Sequence, residues 1–362
     1  MNHKHMQNKS RWLFLLAALL ILVVACGPLT TFPATPTSSA IKQSNPRTET
    51  MPSAPSADIQ TLPTATIGIG AAPSQPPTNP SATLAVASTE IPPTNTPSPT
   101  PTTAIRFAVI GDYGGGGRPE RDVAEMVIGW QPDFIVTLGD NNYPDGAAST
   151  IDQNVGQFFH AYIADYHGKY GAGSDQQRFF PVLGNHDWNT NQAKPYFNYF
   201  NLPGNERYYD FTWGPVQFFM LDADSREPDG VSRNSTQAQW LMGKLAESNS
   251  PWKLVLMHQA PYSSGLHGST DWMRWPFQKW GASAVLAGHD HTYERLQVDG
   301  IPYFVNGVGG GAIYHFNEIL SESQFRYNSD YGAMLVSADD RQISFEFYSR
   351  GGELIDSYQI QK

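Results

Sequence analysis

Cysteine is nearly missing from this 362-residue chain, which has one, Cys26. One cysteine excludes an intrachain disulfide and any cysteine-cluster zinc site. Basic charge is also scarce, with 23 Lys and Arg against 33 Asp and Glu, a formal net charge of −10. An acidic chain is a poor binder of nucleic acid, whose phosphates dominate affinity, so no nucleic-acid partner is expected. An anionic small molecule would need positive charge supplied locally, as bound metal ions can do. Charge of either sign is rare in residues 1–103, which hold five basic and three acidic residues. The remaining 259 residues keep 18 basic and 30 acidic ones, a formal −12. That part is long enough to form one domain on its own core. A long hydrophobic run is absent too. Residues 12–25, WLFLLAALLILVVA, are unbroken by any polar residue but short for a membrane span.

What is present at the N-terminus is ordered. Lys4, Lys9 and Arg11 precede the apolar run, which ends Val23-Val24-Ala25-Cys26-Gly27. Small residues before a cysteine at the end of such a run resemble the bacterial lipoprotein signal. The resemblance implies that residues 1–25 are a signal peptide cleaved before Cys26. It also implies lipidation of Cys26, a lipid bilayer as partner, and an extracytoplasmic place on the cell membrane. Residues 26–103 follow as the lipidated cysteine and a Pro/Thr/Ser-rich linker that cannot offset its ordering entropy. At roughly 3 Å per residue in extended polyproline geometry, the linker reaches on the order of 100 Å or more.

Residues 104–362 read as the one folded domain. Five apolar runs end in polar residues: Ile105–Ile110 before Gly111-Asp112, 133–138 before Gly139-Asp140, 178–183 before Gly184-Asn185-His186-Asp187, 252–257 before His258, and 283–287 before Gly288-His289-Asp290-His291. Continuous apolar strands are expected where both faces of a sheet are covered. Helical patterns at 119–130, where Ala124, Val127 and Ile128 share a face, at 235–248 and at 271–280 alternate with them, which predicts an α/β fold. Strand-like segments at 301–306, 333–337, 343–348 and 353–360 suggest closing hairpins that extend one sheet or pack a second.

Ligands gather at the carboxyl ends of strands in α/β sheets. Here those ends carry Asp, Asn and His, a donor set suited to Fe, Mn or Zn. A lone Gly-Asp is an ordinary turn, but the ordered set of five motifs is not. Asp112-x-Gly114, Gly139-Asp140-Asn-Asn-Tyr143, Gly184-Asn185-His186-Asp187, His258 and Gly288-His289-Asp-His291 resemble the calcineurin-like metallophosphoesterases. Tyr143, and Gly114 after Asp112, resemble the purple (tartrate-resistant-type) acid phosphatases within them. The resemblance covers roughly residues 105–311.

It implies a two-sheet β-sandwich flanked by helices, the αββα metallophosphoesterase fold. It also implies that Asp140 bridges two metal ions. Asp112, Tyr143 and His291 would complete an Fe(III) site. Asn185, His258 and His289 would complete a second, holding Fe, Zn or Mn. A water activated by the metals would attack phosphorus in line, releasing phosphate from small phosphorylated substrates. Asn185, His186 and His267 would contact the substrate. His186 and His267 are the catalytic candidates for proton transfer, with Asp187 orienting His186 or capping a helix. Gly115–Gly117 would offer backbone N–H groups to substrate or form a plain turn. The resemblance further implies that the segment 222–237 is shorter than the activity-limiting loop of the small animal-type enzymes, leaving a more open site. His160, His167 and His315 read as surface or core histidines, and Trp213, Trp240, Trp252, Trp272, Trp275 and Trp280 as core or pocket-rim residues. Two rival readings share the residues: a phosphodiesterase or nucleotide hydrolase with the same metals, and a non-catalytic surface binding module.

Overall fold

The apolar runs divide residue by residue between two faces. In the computed structural model, which describes residues 104–362, the signal peptide, Cys26 and linker expected over residues 1–103 lie outside the described residues. The strands are β1 (Ile105–Ile110), β2 (Phe134–Thr137), β3 (Phe179–Phe180), β4 (Tyr209–Trp213), β5 (Val216–Met220), β6 (Trp252–Gln259), β7 (Ala284–Gly288), β8 (Tyr293–Val298), β9 (Ile301–Asn306), β10 (Ser323–Tyr327), β11 (Gly332–Ala338), β12 (Gln342–Ser349) and β13 (Leu354–Gln361). One sheet has the order β13-β12-β11-β1-β2-β3 and the other β10-β8-β9-β7-β6-β5-β4. The strands that carry the motifs run parallel, β1 beside β2 and β3 in one sheet and β6 beside β7 in the other.

Side chains alternate across a strand with period two. Phe218, Leu254, Leu256 and Leu286 therefore point into the main core, while Phe219, Val255, Met257 and Val285 point outward into a second one. The main core is aromatic where the sheets meet: Phe107 meets Phe218 edge-on at 5.0 Å and Phe304 stacks on Phe345 at 4.7 Å. The helix Thr236–Glu247 covers the second core with Ala238, Leu241 and Leu245. Its N-cap Ser235 accepts a hydrogen bond from the Ala238 N–H at 3.1 Å. The helix Arg118–Gly129 covers the first sheet with Val123, Ala124 and Val127. Two sheets flanked by helices match the sandwich expected, and the closing strands β11–β13 extend the first sheet beside β1.

Three expectations need correction. Ile128 does not share the buried face of its helix and is exposed. The helix expected over 271–280 is a short turn, Asp271–Met273, and a single helical turn, Phe277–Trp280, because Pro276 interrupts the pattern. Of the run 178–183 only Phe179–Phe180 pairs as a strand, since Pro181 has no N–H for the ladder. The hairpin β4–β5 and the strands β8 and β10 were not foreseen.

Candidate metal centre

The five motifs converge at the carboxyl ends of β1, β2, β3, β6 and β7. Three of the donor residues, Asp112, Asp140 and His289, have left-handed backbone with φ of 55°, 51° and 71°. Such strain costs of order 1–3 kcal/mol per residue and persists where the surroundings demand it, commonly at functional sites. Gly139 shows why glycine precedes the second motif. Its φ is +88°, and a Cβ there would lie 2.6 Å from the His258 Nδ1 atom. At Gly288 a Cβ would lie 2.5 Å from the Asp112 Oδ2 atom.

Asp140 lies at the centre. Its Oδ2 accepts from the Tyr143 hydroxyl at 3.0 Å, and its Oδ1 is 3.4 Å from His258 Nε2. On the first side, Tyr143 Oη is 3.3 Å from Asp112 Oδ1 and 3.1 Å from His291 Nε2. Donor atoms of Asp112, Asp140 and His291 all lie within 4.8 Å of one another. On the second side, His258 Nε2 is 3.0 Å from Asn185 Oδ1 and 3.2 Å from His289 Nδ1. All seven expected donors are thus brought together, and the two oxygens of one carboxylate face the two groups.

The histidines are oriented from behind. His258 Nδ1–H donates to the Leu138 carbonyl at 2.7 Å, and His291 Nδ1–H donates to that of Ala312 at 2.5 Å. Their Nε2 lone pairs therefore face the site, as metal-ligating imidazoles do. Unprotonated, these nitrogens would set lone pairs against carboxylate and amide oxygens, which repel unless a proton or a metal cation lies between them. The acid–base behaviour shows the same demand. Burial opposes charge on His258, but Asp140 and then Asp112 outweigh it and raise its imidazole to about 10. Burial would raise the Asp140 carboxyl, yet His258 and His186 hold it well below the usual carboxylate range. Burial, then Asp112 and Asp140, push the Tyr143 phenol far above its ordinary range. The donor set therefore fits cations at both groups.

The substrate candidates flank this centre. The half-buried His186 ring has Nε2 3.9 Å from Asp140 Oδ2 and stands edge-on to Tyr143 at 4.6 Å. Its Nδ1–H donates to the Pro144 carbonyl, leaving Nε2 for the site. His267 is exposed and stacks on His289 at 4.4 Å. Asp187 neither orients the His186 ring nor caps a helix. It is buried and accepts from Gly184 N at 2.9 Å and Asn141 Nδ2 at 2.8 Å, tying two motif loops together. The Gly116 N–H is not offered to a ligand, because Glu120 accepts it at 2.5 Å.

Several residues escaped the sequence reading. Buried Asp290 accepts from Ser263 Oγ at 2.5 Å and from the N–H groups of His267 and Gly268 at 2.7 and 3.1 Å. Buried Glu294 accepts from Ser264 N and Oγ at 2.8 and 2.6 Å. Together they buckle the loop that carries His267. Tyr314 stacks on His291 at 4.1 Å. Arg226 donates from Nη2 to the Asn185 carbonyl at 2.8 Å. The adjacency of Asp290 to both histidines and the place of Glu294 in His291-Thr-Tyr-Glu-Arg295, which resembles the plant-type purple phosphatases, were the available signs; Tyr314 and Arg226 have no motif.

Comparison with known proteins gives the family and the fold. The family described as calcineurin-like phosphoesterase matches residues 105–293. Purple acid phosphatase 4 of Arabidopsis thaliana is 24% identical over 73% of this chain and 86% of its own length. Tartrate-resistant acid phosphatase type 5 of Mus musculus is 27% identical over 58% of this chain and 73% of its own. The purple acid phosphatase from yellow lupin (Lupinus luteus) seeds superposes with a TM-score of 0.59 at 20% identity, covering 72% of this chain. The match spans about half, 54%, of the lupin chain.

Proposed function

Because the chain belongs to the calcineurin-like phosphoesterase family, we propose that this metal-dependent phosphoester hydrolase is a two-metal phosphomonoesterase of the purple acid phosphatase type. The observation that carries the reading is Asp140, whose two oxygens face two different donor groups. Asp112, Tyr143 and His291 supply an oxygen-rich set with a phenolate, suited to a hard trivalent ion such as Fe(III). Asn185, His258 and His289 supply a nitrogen-rich set suited to divalent Fe, Zn or Mn. Bound there, the cations would acidify a coordinated water and draw charge from the phosphate oxygens.

The residues do the rest. Asp112 and Asp140 alone would repel a phosphate, so substrate binding depends on the cations they hold. The Asn185 amide and the His186 and His267 imidazoles line the approach and receive the phosphoryl oxygens. His186 Nε2, facing the centre, gives a proton to the leaving oxygen. The loop anchored by Asp290 and Glu294 keeps His267 over His289. The pinned, short segment 222–237 leaves this face open.

The setting outside the cytoplasm is part of the proposal and rests on sequence alone. Residues 1–25 act as a signal, Cys26 takes the lipid, and residues 26–103 tether the catalytic domain 104–362 to the cell membrane. Labelling with a radioactive fatty acid, lost on Cys26→Ala, supports the anchor; unchanged labelling refutes it.

Activity is tested with a panel of aryl and alkyl phosphate monoesters against diesters and nucleotides. Monoesters should be preferred at least tenfold, and Asp140→Ala should fall to background. A preference for diesters or nucleotides would favour a phosphodiesterase instead. Hydrolysis of nothing by metal-loaded protein would favour a binding module.

A further inference from the structure

A cavity of about 480 Å³ lies beside the metal centre and has no part in holding it; Trp188, Gln192, Phe197, Arg207, Arg226 and Pro228 line it. Its position follows from two links. Trp188 is two residues beyond His186, and Arg226 donates to the Asn185 carbonyl at 2.8 Å and to Asn189 Oδ1 at 3.0 Å. One wall is thus continuous with the loop that carries Asn185 and His186.

The walls are held in place. Trp188 Nε1–H donates to buried Asp222 at 3.0 Å, and Arg226 lies over the Trp188 ring with its guanidinium on Asp224 at 2.7 Å. Arg207 pairs with fully buried Glu227 at 3.0 Å and with Asp229 at 2.6 Å. The turn that presents Gln192 is unusual. Asn191, Gln192 and Ala193 have successive φ values of 49°, 55° and 59°, a left-handed run disfavoured for side-chain-bearing residues.

The chemistry of the lining selects an occupant. Arg207 and Arg226 are already matched by the carboxylates of Asp224, Glu227 and Asp229, so the cavity does not call for a second anion. Among the described residues the Arg207 Nη1 hydrogens have no protein partner, and with the Gln192 amide they remain as donors. Trp188, Phe197 and Pro228 supply apolar surface. A flat, uncharged ring with acceptor atoms at its edge meets both requirements, and the volume falls in the range of small-molecule sites.

We propose that this cavity is a leaving-group subsite that favours phosphate monoesters of aryl or heteroaryl character over those of small alkyl alcohols. The proposal rests on the monoesterase reading above. The reaction breaks the bond from phosphorus to the leaving oxygen and forms one from phosphorus to a water oxygen. One water proton passes to the leaving oxygen, so ester and water give phosphate and a hydroxyl compound.

The test compares kcat/KM for 4-methylumbelliferyl phosphate, whose ring is flat, uncharged and acceptor-bearing, with that for glycerol phosphate. Differences in leaving-group acidity cancel when each variant is compared with the parent chain. Phe197→Ala removes a wall, and Pro228→Trp, at an exposed position, fills the space. Each should lower the umbelliferyl-to-glycerol ratio about tenfold, the scale of a lost apolar contact. 4-Methylumbelliferone should also inhibit the variants more weakly than the parent. A ratio within twofold of the parent in folded Pro228→Trp would overturn the subsite, even if Phe197→Ala fails to fold. If the metal-loaded parent hydrolyses neither ester, the monoesterase reading fails first. If it hydrolyses both and the ratio does not move, the subsite alone fails.

Discussion

The two halves of the metal centre differ in kind. Around Asp112, Tyr143 and His291 the donors are mostly oxygen, and a phenol lies within 3.3 Å of both carboxylates and of an imidazole nitrogen. Around Asn185, His258 and His289 they are mostly nitrogen, with two imidazoles 3.2 Å apart. One carboxylate, Asp140, serves both. On the proposed two-metal reading, the difference teaches that a single pocket would hold two unlike cations, the hardness of each set by its own side chains rather than by the shared bridge.

The largest expected effect comes from removing one half. His258→Ala should lower kcat on the order of 10³-fold, the scale of losing a central charge-stabilising element. Metal analysis should show one ion lost and the other kept. Loss of both ions would mean that the halves are not separable. A smaller and more selective effect is expected from His186→Ala. Its kcat should fall roughly 10²-fold, more for alkyl esters, whose leaving oxygen needs a proton, than for esters of acidic phenols. Equal losses on both would remove the proton-donor role. Smaller again is Glu294→Gln, which should cost about tenfold in kcat/KM with metal content intact, because it loosens the His267 loop and not the donors. Loss of metal in that variant would move Glu294 into the support of the centre itself.

The donors were legible in the sequence because five apolar runs end in Asp, Asn or His, four of them through a glycine, while their division into two halves came from the family resemblance. Asp112, Asp140, Asn185, His258, His289 and His291 could be placed together from that pattern alone. Tyr143 was legible only through the resemblance of Gly139-Asp140-Asn-Asn-Tyr143 to the family's motif. The supports were not. Asp290 and Glu294 reach Ser263 and Ser264 across 27 and 30 residues, and no local period marks such a tie. Asp187 had a histidine beside it in sequence, yet its carboxylate turned to Asn141, 46 residues away. In the fold, the hairpin β4–β5 did carry a signal: aromatic residues at Tyr209, Phe211 and Trp213 alternate before Gly214-Pro215. The helix expected over 271–280 failed for a local reason, Pro276.

Outside the centre the smallest effect is expected. Ser235→Ala removes the cap of the helix Thr236–Glu247 and should cost about 1 kcal/mol of stability, read as a lower Tm. Activity should be unchanged, since that helix packs on the outer core.

The most direct measurement is metal content together with the visible absorption spectrum of oxidised protein and its Tyr143→Phe variant. The account predicts two metal ions per chain and a phenolate-to-iron charge-transfer band in the parent. That band should vanish in Tyr143→Phe while the metal of the nitrogen-rich half remains. A metal-replete, active parent with no such band, or a band unchanged by Tyr143→Phe, would contradict the assignment of Tyr143 and with it the two unlike halves.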